Sequence, residues 1–203
     1  MFRVDLPKTQ RRIRSLPEPG DIWRAVRGDK IELAVLLAMW LSLTESEIRG
    51  LTKSGSIDGD FLIVRSVVIK AGGQDVRKNL GKTDTRIRRH HIPPYIRQLI
   101  DQVDGDELCP YAPSVFLRRL HKCMDAAGLP RITFHDLRHV SASVMAVLQI
   151  PDKYAQERGG WATDHVMKTV YTETFSAARR QADSMVDSYF ERIMQDEMQN
   201  DTP

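Results

Sequence analysis

Cysteine is scarce in this chain: Cys109 and Cys123 are the two among 203 residues. They stand at no metal-ligand spacing, which argues against a disulfide framework or a thiolate metal site and makes a reducing compartment the simple expectation. Long apolar runs are missing as well. The longest, Leu33 to Leu41, falls far short of the roughly 20 residues that span a bilayer and has no signal-peptide layout. It therefore reads as a buried helix, and the expectation is a cytoplasmic protein with no membrane partner. Internal repeats and low-complexity tracts are absent. No histidine and carboxylate cluster has metal-binding spacing, so no metal or other cofactor is predicted. Gly81-Lys82-Thr83 is not the end of a phosphate-binding P-loop, because Val76 stands where the earlier glycine belongs.

What remains is ordinary globular composition, 41% hydrophobic and 28% charged, enough for one domain with a substantial core. The net charge of +3 is unevenly placed. Between Lys70 and His91, Lys70, Arg77, Lys78, Lys82, Arg86, Arg88 and Arg89 face only Asp75 and Asp84, whereas three Lys/Arg oppose six Asp/Glu from Ser176 to Pro203. A single charge run is usually a solvated face. One concentrated on a strand pair in a near-neutral protein points toward nucleic acid, where each phosphate contact releases counterions.

Periodicity predicts helices over Asp21–Arg27, Ile31–Leu41, Pro93–Val103 and Pro113–Ala127, and another that begins near His135. Thr44-x-x-Glu47 has the form of a capping box at a further helix start. From Asp60 the period shifts to strands over residues 61–69, 76–80 and 86–92, with turns at Ala71-Gly72-Gly73 and at Gly81 to Thr85, Lys82 on the tip. The predicted fold class is α+β, mostly helical, with a small three-stranded antiparallel sheet at its edge.

The stretch from His135 to Tyr171 carries the chemistry. On a helical wheel His135, Arg138 and His139 fall together, opposite Leu137, Val140, Val144 and Leu148. A fixed arginine suits a phosphate through its planar fork, and a histidine one turn away moves protons near neutral pH. Gly159-Gly160 permits a tight turn that displays Trp161, and ten residues later comes Tyr171, whose phenol is a candidate nucleophile. Each element alone is commonplace; their joint order and spacing carry the inference.

That order, H-x-x-R, then Gly-Trp, then a tyrosine about thirty residues after the arginine, resembles the catalytic domain of the tyrosine recombinases, the integrases of phages and transposons. The resemblance runs from roughly Leu6 to Thr174. It implies Tyr171 as nucleophile, Arg138 as stabiliser of the phosphate charge, His135 as proton carrier, Lys82 as general acid to the leaving 5′ oxygen and Trp161 as an indole N–H donor or packing residue. The implied reaction is site-specific DNA strand breaking and rejoining through a 3′-phosphotyrosine. The implied partners are double-stranded DNA and further copies of the chain in a tetramer. Residues 1–17 resemble a basic interdomain linker, 18–175 the catalytic domain, and 176–203 an amphipathic helix and tail that docks on a neighbouring protomer. An upstream DNA-binding domain is expected to be missing from this chain.

Leu41 to Leu51 resembles the family's first box with two departures. Ser42 stands where glycine is usual, and Thr44 stands where the first catalytic arginine belongs, so half of the implied phosphate clamp is absent. Arg49 lies roughly 140° round a helix from Thr44 and points elsewhere. The alternative reading is therefore a degenerate recombinase that acts by DNA binding or protein association without cutting. A metal-dependent phosphodiesterase is disfavoured, since no second histidine or carboxylate pair stands at metal-binding spacing.

Overall fold

The computed structural model describes residues 16–81, 87–161 and 188. Its centre is α2 (Glu32–Leu41), apolar almost all round and buried along nearly its whole length. Such a helix has no solvent face to offer and must be enclosed by others. α1 (Pro19–Val26), which starts on Pro19, and α5 (Pro94–Asp101) pack beside it, and α7 (Phe134–Val147) crosses it. α6 (Pro113–Ala126) contributes Phe116, Leu120 and Met124 to the same core at helical spacing. α8 (Asp152–Gly159) follows α7 and sets Ala155 against Ala142 and Met145. Among the described residues no helix is long and apolar enough to cross a membrane.

Between α2 and α5 lie α3 (Glu45–Gly50), α4 (Lys53–Ser56) and five strands. β1 (Ile57–Asp58), β2 (Phe61–Ile63) and β5 (Arg89–His91) form a three-stranded antiparallel sheet in the order β1-β2-β5, with Leu62 opposite His90. β3 (Ser66–Ala71) and β4 (Gln74–Asn79) form a separate hairpin. A three-stranded antiparallel sheet is present as predicted, but its members differ: the strand expected at 76–80 lies in the separate hairpin, Ile57–Asp58 takes the third place, and residues 61–69 do not run as one strand. The chain changes partner at Arg65: Val64 N–H still donates to the Arg88 carbonyl at 3.0 Å, while the Arg65 carbonyl accepts from Leu80 N–H at 2.8 Å. The predicted turn is where expected, with Gly72 and Gly73 both at positive φ, 57° and 83°, as a two-residue hairpin turn of this hand requires.

Two further readings need correction. Leu148 lies beyond the last turn of α7 and is 64% exposed instead of joining the buried face. The basic stretch from Lys70 to His91, expected as a stripe toward nucleic acid, does not present all its charges outward among the described residues. Arg88 is buried on Glu47, and Arg77 donates to Glu107 at 2.7 Å and to the Gly50 carbonyl. Arg89 lies over the Phe61 ring at 3.7 Å. Lys70 and Lys78 remain exposed on the hairpin.

The hairpin is held to α3 by close backbone contact at Gly50, where an added Cβ would collide with the Ser66 carbonyl. Backbone cannot yield as a flexible side chain can. Gly50→Ala is expected to destabilise the fold by about 1–3 kcal/mol, the usual cost of overpacking, read as a lower midpoint in urea or thermal unfolding.

Candidate active site

α7 opens with a capping box. The Thr133 hydroxyl accepts from Asp136 N–H at 3.2 Å, and the Asp136 carboxylate accepts from Thr133 N–H at 2.7 Å. This fixes the first turn, on which His135 and Arg138 follow at three-residue spacing. Both side chains line a cleft of about 580 Å³, together with Thr44, Glu45, Ser46, Ser114 and Thr133. His135 is exposed and meets His139 edge to face, ring centroids 4.6 Å apart.

Arg138 is buried, 8% exposed. Its guanidinium donates to the Ser42 carbonyl and, at 3.0 Å, to the Gly159 carbonyl, and it lies 5.6 Å from the Trp161 ring centroid. Burial pushes its pKa down to about 10, with the Glu47 charge opposing and the Arg88 charge adding to that shift. It remains a cation at neutral pH. Both carbonyls come from helix C-termini, whose free acceptors and negative dipole end favour a cation. At each end the chain turns left-handed: Ser42 has φ 58° and Gly160 has φ 62°. Ser42 thus occupies a conformation that suits glycine, and its hydroxyl pairs with that of Ser141 on α7. Trp161 is half-buried rather than displayed, and a Cβ on Gly159 would collide with its indole.

Thr44 caps α3. Its hydroxyl accepts from Glu47 N–H at 3.3 Å, and its own N–H donates to Glu47 Oε2 at 2.8 Å. The predicted capping box is therefore in place at the cleft wall. Arg49 points away, to the Tyr111 carbonyl at 3.1 Å and to Asp75. Glu47 is also gripped by Arg88, which donates from both terminal nitrogens at 3.0 and 2.9 Å. Burial raises the Glu47 pKa, but the Arg88 hydrogen bonds and charge together with the Thr44 bonds outweigh it and hold the carboxyl below its ordinary value. This buried pair was not foreseen from the sequence, where Arg88 is one member of a basic run. The Ser-Glu of the first box was its only trace. Lys82 and Tyr171 lie outside the described residues, as do residues 1–15 and, apart from Ser188, residues 162–203.

His90, on the inward side of β5, is 3% exposed. Burial first, then the charges of Arg88 and Arg158, lower its pKa to about 3. It is thus neutral when folded, while an unfolded histidine binds a proton near pH 6.5. The stability this contributes is complete above pH 6.5 and is lost as pH falls toward 3. Between pH 6.5 and 5 the loss has a limiting slope of about 1.4 kcal/mol per pH unit. His90→Leu is expected to flatten that part of the stability profile, measured by urea unfolding at each pH.

Comparison with known proteins adds the following. Residues 77–177 match the phage integrase family. A protein of Mycobacterium tuberculosis named as a prophage phiRv2 integrase is 27% identical over 166 residues, which cover 71% of this chain and 44% of that protein. An integrase of Saccharopolyspora erythraea is 33% identical over 64 residues, 32% of this chain and 14% of the relative. The chain therefore spans less than half the length of these curated relatives. Among solved structures, the Tn1549 transposon integrase in complex with transposon right end DNA superposes with a TM-score of 0.68 at 20% identity, covering 89% of this chain and 69% of the other. XerA recombinase gives 0.60 at 19% identity, covering 82% and 61%. A lambda integrase dimer bound to a COC′ core site gives 0.57 at 19%, covering 83% and 62%. At these identities the structural likeness speaks for the fold.

Proposed function

Starting from a chain that carries a phage integrase family domain over residues 77–177, we propose that this protein breaks and rejoins double-stranded DNA at specific sites through a covalent tyrosine intermediate. The observation that carries the reading is the buried Arg138, charged and fixed by two carbonyls beside His135 on the wall of an open cleft. A preorganised cation of this kind stabilises charge that develops on a phosphate without rearranging during the reaction.

In the proposed step the Tyr171 oxygen attacks the scissile phosphorus. A tyrosine–phosphorus ester forms at the 3′ end and the bond to the 5′ oxygen breaks. His135 takes the phenolic proton and Lys82 gives a proton to the departing 5′ oxygen. Attack by a second 5′ hydroxyl reverses the sequence on a new partner, so the energy of the broken bond is retained in the ester. Trp161, whose ring centroid lies 5.6 Å from the Arg138 guanidinium, donates its indole N–H or shapes the pocket. Residues 18–175 act as the catalytic domain, 1–17 as its linker and 176–203 as a segment exchanged between protomers of a tetramer on DNA.

A second reading is favoured by one specific observation. Thr44 caps a helix where the resemblance calls for an arginine, which leaves Arg138 without its partner in the clamp. In that reading the chain binds DNA or its own kind and does not cut.

Covalent trapping on nicked duplexes from a randomised pool separates the two. Adducts with the unaltered chain and none with Tyr171→Phe are expected. Adduct formation that survives Tyr171→Phe would overturn the mechanism. Thr44→Arg is expected to raise the rate of adduct formation by about 10²–10³, the usual worth of one preorganised donor. Adducts in Thr44→Arg alone would assign the unaltered chain to binding.

A further inference from the structure

Three charged side chains meet behind the cleft. Glu47 stands on α3 with its carboxylate 2.8 Å from Thr44 N–H, and Arg138 donates to the carbonyl of Ser42, two residues earlier. Arg88 enters from the lead-in to β5 and closes on Glu47 with two hydrogen bonds. All three are at least 92% buried, with exposures of 2%, 8% and 7%. A carboxylate buried this deeply takes a cation from whichever element presents one.

We propose that Arg88 is a positioning residue whose charge occupies Glu47 and so leaves the Arg138 cation available to an anion in the cleft. The inference rests on the proposed function only in taking that anion to be the scissile phosphate. With Thr44 in place of an arginine, these three side chains hold, among the described residues, one carboxylate and two guanidiniums, a surplus of one positive charge. Remove Arg88 and Glu47 loses its ion-pair partner, which leaves Arg138, whose pKa the Glu47 charge already raises, to compensate the carboxylate. The Glu47 charge is already felt at Arg138: it raises the pKa of that group, and the Arg88 charge lowers it. His90, which also faces Arg88, Arg158 and Glu47, is held neutral and does not alter the count. Arg158 donates to the Trp40 carbonyl at 3.0 Å. Arg88 also lies against Gly160, where a Cβ would collide with its guanidinium. It therefore lies against the end of α8 that supplies one carbonyl of Arg138 and, through Glu47, is linked to Thr44, two residues from the other.

The test compares the full chain with Arg88→Met, Glu47→Gln and the double variant, all checked for cooperative thermal unfolding. Inorganic phosphate is the probe, titrated against the Nε–H resonance of Arg138, which Arg138→Lys identifies. Arg88→Met is expected to weaken phosphate binding at least about ten-fold, in line with the diversion of one charged hydrogen-bonding group. Removing the carboxylate in the double variant is expected to restore binding to within about three-fold of the unaltered chain. A merely structural ion pair would leave the double variant as weak as Arg88→Met, and that result overturns the proposal. So does phosphate binding in Arg88→Met equal to that of the unaltered chain, or no saturable binding at Arg138 in any folded form. If Arg88→Met fails to unfold cooperatively, the comparison of the double variant with the unaltered chain decides: affinities within about three-fold are expected, and a ten-fold deficit in the double variant overturns the proposal. Adduct trapping with the same proteins is read separately. Phosphate data as expected without any Tyr171 adduct refute the recombinase reading and leave the role of Arg88 standing.

Discussion

A guanidinium buried between two backbone carbonyls constrains much of this fold. Desolvating Arg138 is costly, and the chain compensates with the carbonyls of Ser42 and Gly159, each at the end of a helix. To aim those carbonyls inward, α2 and α8 must both stop at the site, and both do so through a left-handed residue. α7 must cross α2 closely enough for the hydroxyls of Ser42 and Ser141 to meet. Carbonyls satisfy hydrogen bonds without cancelling charge. The cation is thereby held in place with its electrostatic capacity for an anion largely intact, as a phosphate site requires.

The wall opposite Arg138 shows a different compromise. Thr44 gives α3 a clean start, since its hydroxyl and the Glu47 carboxylate satisfy amides that a short helix otherwise leaves free. An arginine in its place gives up the hydroxyl cap and contributes a charge. The same Glu47 then links the cap to Arg88 and through it to the lead-in of β5. Helix capping and the balance of charge in the cleft are thus joined in one carboxylate.

The hairpin β3-β4 explains why a count of basic residues overstated the cationic surface. β4 is exposed throughout and packs little apolar area. Its attachment relies on ion pairs, Arg49 with Asp75 and Arg77 with Glu107, and on the close approach at Gly50. Arginines committed in this way are anchors for the hairpin, and two members of the basic run, Arg77 and Arg88, are neutralised within the protein.

The sequence by itself determined whatever depends on near neighbours. Helical periodicity placed α2, α6 and α7, the Gly-Gly pair placed the hairpin turn, and Thr44-x-x-Glu47 announced its cap, because each signal is complete within a few residues. The H-x-x-R spacing likewise put His135 and Arg138 on one side of α7. Tertiary structure alone decided the partners. That Arg88 closes on Glu47, 41 positions away, that Arg138 is held from Ser42 and Gly159, that β2 leaves the hairpin to pair with β5, and that Leu148 stays in water are outcomes of which surfaces meet. A charge or an apolar side chain in a linear sequence has many candidate partners, and only packing selects among them.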